Sequence, residues 1–254
     1  MTSEQASTVK ISGHVNEAHF AELIGGHVQR GSHKDKKDVA DKKDRFHSVK
    51  AGARWQIFLY SKSRLETNTI FQGLGNIASI MIACIDAYPA TWEEYLADKM
   101  AAKLRLQPHM RSLLEELKKP RMLASFFDKA LFDGGNADYL SIYPGSARDP
   151  IDRKHFHVFH KKQVVETLCS NLLLCNSKAR NRNQMDDQKV VFVSLMHSKQ
   201  IGQIEDRHDS NGHYRQMKFR LDGNPVYEIL KSKIQPKKNI HPQVTAYGTA
   251  CQWL

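Results

Sequence analysis

The spacing of apolar residues changes along the chain, and each change marks a candidate element. Phe20, Leu23 and Ile24 share one face of a helical pattern that starts near Val15, and Gly25-Gly26 supplies its stop. Residues 1–10 are polar and read as frayed. A basic, His-rich loop covers 27–37. Lys37–Asp41 and Arg45–Ala51 then flank a charged turn, which predicts a hairpin. Trp55-Gln56-Ile57-Phe58-Leu59-Tyr60 is almost continuously apolar, which predicts a central strand covered on both faces. From about Leu65 to Phe132 the period is helical, with Leu74, Ile77, Met81, Cys84, Ile85 and Tyr88 at three- and four-residue steps. Thr91-Trp92-Glu93-Glu94 has the form of a helix cap, and Pro108 and Pro120 punctuate the helices that follow. Strands are expected at Asp138–Tyr143, Lys154–His160 and Val190–Leu195, and helices at Lys161–Leu174 and Pro225–Ile234. Ile201–Arg207 and His213–Leu221 form a hairpin pattern around Asn211-Gly212. The class is α/β or α+β: a mixed central β-sheet flanked by helices, with a helical lobe inserted at 65–134.

Composition narrows the partners. The chain of 254 residues is long enough for a full core, and its formal charge of +11 favours a polyanion, nucleic acid above others. The four cysteines, Cys84, Cys169, Cys175 and Cys251, form no zinc-type spacing and read as reduced thiols of a cytoplasmic protein. The first residues are polar, unlike a signal peptide, and the run Ile77–Ile85 is far short of a membrane span. No Walker, dinucleotide-binding or serine-hydrolase motif is present.

The candidate chemistry lies in the first hairpin. Asp38 enters its first strand, and Ser48-Val49-Lys50 closes its second. Ser48 and Lys50 leave the strand on one face while Val49 faces the core. A carboxylate beside a lysine at the ends of paired strands suits magnesium-dependent phosphodiester hydrolysis. Carboxylate oxygens hold the hard cation, and the lysine orients the attacking water and counters charge. The competing reading is an exposed hairpin with charges on its wet side.

A helix carrying Glu17 precedes this hairpin and a strong strand follows it. Helix, acidic hairpin, lysine and strand, over about residues 13–60, together resemble the core of the PD-(D/E)XK nucleases of the type II restriction endonuclease kind. The resemblance implies a single endonuclease domain over 1–254, with its core beginning at 11–60 and the remaining sheet and recognition elements at 138–234. It implies Asp38 as metal ligand, Ser48 as helper, Lys50 as catalytic lysine and Glu17 as a further metal ligand, with Mg²⁺ as cofactor. It also implies double-stranded DNA as substrate and a homodimer acting on a palindrome. No proline precedes Asp38, and Ser48 stands where an acid is usual. Asp41 or Glu22 is the alternative acid.

The candidate DNA contacts are basic residues with nearby polar side chains, Arg180 and Arg182 in the 176–189 break and Arg207, Arg215 and Lys218 on the second hairpin; the competing reading is a solvated basic surface. His155 and His157 form a possible metal pair or an ordinary half-exposed strand face. His208–His213 superficially resembles an HNH nuclease but reads better as a turn. Two other functions stay open: a DNA-binding protein without enzymatic activity, and a repair or RNA-processing nuclease with the same core.

Overall fold

A computed structural model describes residues 3–29, 36–67, 71, 73–144, 150–181, 184–235 and 237–252, with residues 3–13 described by backbone alone. The chain packs into two compact units. One comprises residues 1–55, 127–170 and 222–254, the other 56–126 and 171–221.

The first unit is built on a mixed seven-stranded sheet. Helix α1 (Ser3–Ile24) leads into β1 (His27–Val28), β2 (Val39–Ala40) and β3 (Phe46–Ala51), which pair antiparallel in turn. Strand β4 (Arg54–Ser61) leaves for the second unit with helices α2 (Lys62–Thr67), α3 (Ile77–Asp86), α4 (Trp92–Ala97), α5 (Lys99–Lys118) and the start of α6 (Met122–Phe132). The chain returns as β5 (Tyr139–Tyr143), which lies parallel to β3, and β6 (Phe156–His160), followed by α7 (Lys161–Asn171). It leaves again as β7 (Leu172–Asn176), β8 (Lys189–Ser194), β9 (Lys199–Arg207) and β10 (Gln216–Asp222). It then closes the first sheet with α8 (Gly223–Lys233), β11 (Lys237–His241) and β12 (Val244–Tyr247). The strand order is β1-β2-β3-β5-β6-β12-β11.

The core of this unit forms because apolar residues of α1 meet those of the strands. Phe20 and Ala21 pack with Val39, Val49, Tyr139, Phe156, Val158, Val244 and Ala246, and Leu23 and Ile24 lie at the edge of the cluster. Burial of Val164, Val165 and Leu168 on α7 and Val226, Tyr227, Ile229 and Leu230 on α8 adds further apolar area. The sequence expectation of a mixed sheet flanked by helices therefore holds.

The second unit holds a five-stranded antiparallel sheet, β4-β10-β9-β8-β7. Helix α3 packs on α5, and α5 on β7 and β8. Thr91 caps α4 with a full capping box, its hydroxyl accepting from Glu94 N at 3.2 Å while the Glu94 carboxylate accepts from Thr91 N at 3.3 Å.

Several sequence expectations are corrected. The Trp55–Tyr60 run is not central: β4 is an edge strand of the five-stranded sheet. Its neighbours Ile57 and Phe58, which point to opposite faces, are both buried, so both faces are covered even though one edge lacks a strand partner. Pro108 lies inside α5, whose buried Leu106, Met110, Leu113 and Leu117 outweigh one lost backbone hydrogen bond. The expected helix over 161–174 ends at Asn171. Leu172, Leu173 and Leu174 alternate buried, exposed, buried, and so form a strand. Asn211-Gly212 makes no two-residue turn; it belongs to a 3₁₀ turn, Asn211–His213, in the longer connection 208–215. The helix of the N-terminal region begins at Ser3, where fraying was expected.

Candidate active site

The geometry begins at the end of α1. Gly25 adopts φ +62°, the left-handed cap conformation, and Gly26 donates to Ala21 O at 2.8 Å. The chain can then double back so closely that the Gly26 α carbon lies against Ala40 O. This brings β2 alongside the last turns of the helix. The β2–β3 turn is clamped by Asp41, whose Oδ1 accepts from Lys43 N (2.7 Å) and Arg45 N (3.1 Å) and whose Oδ2 accepts from Arg45 Nε (2.8 Å). Asp44 completes the turn at φ +55°.

At the other end of this hairpin, Asp38 and Lys50 meet. Lys50 Nζ lies 3.3 Å from Asp38 Oδ2 and donates to Val49 O at 3.0 Å, while Val49 N donates to the same Asp38 oxygen at 2.7 Å. Both side chains are largely but not fully shielded, 19% and 15% exposed, so a solvent-borne group can reach them. Asp38 N donates to His47 O at 2.9 Å, which ties the carboxylate to the ladder.

Glu17 of α1 lies within electrostatic reach of both Asp38 and Lys50. Its carboxylate is held above the usual range first by burial and then by the negative charge of Asp38, while His14 and Lys50 pull the other way. His14 Nδ1 lies 3.1 Å from Glu17 Oε2. Residue-level reading missed His14, although its three-residue offset on a helix is the signal for such a pair.

Ser48 is fully buried, and its hydroxyl has no hydrogen-bond partner among the described residues. Of the alternative acids, Asp41 is consumed by the turn and by Arg45, and Glu22 is exposed on the last turn of α1. Among the described residues no group of three His, Cys, Asp or Glu side chains converges as a metal site. Glu17 and Asp38 are a two-carboxylate, oxygen-only set of the kind a hard divalent cation accepts when water and phosphate oxygens complete its shell.

The other candidates are placed as follows. Arg207 makes a two-point contact with Asp209 (3.1 and 2.7 Å), Arg215 lies 2.8 Å from Asp86, and Lys218 lies 3.8 Å from Glu205. Arg180 is exposed and Arg182 lies outside the described residues. His155 and His157 do not converge. The His155 ring nitrogens face the Ile151 and Pro242 carbonyls, whereas His157 is buried against the Tyr227 and Tyr247 hydroxyls. His208 stacks on Tyr88 and hydrogen bonds to its hydroxyl. Asp138, just before β5, accepts from Phe46 N at 3.1 Å.

No family model, curated protein sequence or solved structure matches the chain. No described helix is long and apolar enough to cross a membrane. The functional argument rests on the side chains themselves.

Proposed function

We propose that the chain is a Mg²⁺-dependent endonuclease of double-stranded DNA, with PD-(D/E)XK-like chemistry and a restriction-type role. The observation that carries this reading is the ion pair of Asp38 and Lys50 at the open end of the first hairpin, only partly shielded from solvent, with Glu17 of α1 near enough to feel both charges.

Asp38 and Glu17 are the residues that would hold the cation, which when bound supplies Lewis-acid stabilisation and lowers the pKa of water. The repulsion that raises Glu17 is what a cation beside both carboxylates relieves. Lys50, fixed by Asp38 and Val49 O, presents a positive charge where the attacked phosphodiester gains negative charge. Ser48 is buried on β3 with its hydroxyl unpartnered among the described residues and is given no ligand's place in this reading. Sequence specificity and a homodimer on a palindromic site belong to the same reading.

The test is cleavage of phage or plasmid DNA with magnesium and then with EDTA. Discrete magnesium-dependent fragments are expected. Asp38→Ala and Lys50→Ala are each expected to lower cleavage by about a hundred- to a thousandfold, the order seen when preorganised charge stabilisation is removed, while far-UV circular dichroism stays native. Wild-type cleavage by either variant overturns the assignment. Binding of DNA without cleavage under any divalent cation turns the reading to a DNA-binding protein without enzymatic activity.

A further inference from the structure

A second feature of the first unit lies at the turn end of the same hairpin. Between the last turn of α1, the β2–β3 turn and the end of β11 there is a cleft of about 400 Å³, within the size range of ligand sites. Its apolar lining comes from Leu23, Ile24 and Ile240, Glu22 adds a carboxylate, and its rim carries Lys42 and Lys43. Both lysines are exposed, and neither has a carboxylate partner among the described residues. Their turn is nonetheless rigidly built, because Asp41 ties up Lys43 N and both the backbone and guanidinium of Arg45. Lys42 is laid across Gly25: a Cβ on that glycine would meet Lys42 Cε at 2.3 Å. Two ammonium groups therefore stand on a hydrogen-bonded turn without a direct ion-pair partner among the described residues; of the carboxylates lining the cleft, Asp41 is held by Arg45 and Glu22 stays open to solvent, so the lysines with Arg45 leave the cleft net positive. This contrasts with Arg207, Arg215 and Lys218 of the second unit, each of which has a carboxylate partner.

We propose that this cleft holds the sugar–phosphate backbone of the DNA strand flanking the scissile phosphate, with Lys42 and Lys43 on consecutive phosphates and Leu23, Ile24 and Ile240 against a sugar. The chemistry matches: a polyanionic strand alternates charged phosphates with apolar sugar faces. The inference rests on the nuclease reading for its register, and its test separates the two.

Binding of a short fluorescein-labelled DNA duplex to the full chain is measured by anisotropy in EDTA, from about 50 to about 200 mM salt. Each phosphate contact contributes about 0.9 to the slope of log affinity against log salt. Lys42→Ala/Lys43→Ala is therefore expected to flatten the slope by about 1.8. Across that fourfold salt range the wild type then weakens about 12-fold more than the double variant. Because Lys42 also packs on Gly25, Lys43→Glu is measured beside it and is expected to weaken binding with an unchanged thermal melt. Wild-type affinity and slope in both variants overturn the proposal, even if the wild type cleaves DNA. Loss of slope in the variants of a protein that binds but never cleaves upholds the cleft while the nuclease reading fails. A wild type that binds no DNA overturns both.

Discussion

At Gly26 a single hydrogen atom decides where the candidate site sits. A Cβ there would meet Ala40 O at 2.1 Å and the Ala40 carbonyl carbon at 3.1 Å, and both are backbone atoms that cannot swing aside. Ala40 is two residues from Asp38, so a shift of β2 away from α1 carries the carboxylate with it. Gly26→Ala is expected to cost about 1–3 kcal/mol, the range of overpacking in a packed core. Urea unfolding measures this. An unchanged midpoint would mean that the close approach of helix and strand contributes nothing to the fold. Asp41 illustrates the same scale from the opposite direction. By composition it is one more carboxylate available to a metal, and in the fold its oxygens are spent on Lys43 N, Arg45 N and the Arg45 guanidinium.

Elements were legible in the sequence where one local signal dominated. The capping box at Thr91 and Glu94 is such a case: side chain and backbone satisfy each other within four residues, whatever surrounds them. Thr91→Ala is expected to lower stability by about 1 kcal/mol, read as a shift in the urea midpoint, and Thr91→Ser to restore most of it. The first hairpin was legible for the same reason, since its turn and alternation are local, and with it the meeting of Asp38 and Lys50. What escaped the sequence is set by distant partners. Strand β11 is polar and exposed, and only its pairing to β12 makes it a strand; β12 in turn lies parallel to β6, far away in sequence. Strand β4 is as apolar as a central strand because both its faces are covered, and periodicity does not report which edge lacks a hydrogen-bonded neighbour. The burial of Ser48 and the position of Glu17 beside Asp38 both depend on how α1 lies on the sheet, which no local pattern encodes.

For the whole molecule, the two units carry buried titratable groups whose effects on stability have opposite sign. In the first unit His157 is enclosed with Tyr227, Tyr247 and Asp152, and burial pushes it down to about 4, against an ordinary 6.5. His47, fully buried and bonded to Ser141 Oγ at 2.9 Å, is lowered for the same reason. The unfolded chain takes up protons that these folded imidazoles refuse. Their stabilisation is therefore complete above about pH 6.5 and is lost as pH falls towards 4, on the order of 3 kcal/mol for His157. In the second unit Asp206 is buried with neither carboxylate oxygen hydrogen bonded among the described residues. Burial raises it well above its ordinary value, Arg215 opposes that and Glu205 adds to it. A raised carboxyl acts in the other direction: its contribution is present at low pH and is lost as pH rises through its folded value. The expected result is that His157→Gln flattens the fall in melting temperature between pH 7 and pH 5. Asp206→Asn is expected to raise the melting temperature at pH 8 and to lose that advantage on acidification, since a neutral amide costs less to bury than a charge. Scanning calorimetry across this range reads both effects. Parallel pH profiles for wild type and Asp206→Asn would mean that Asp206 ionises in the fold without penalty, which its enclosure and lack of donors argue against.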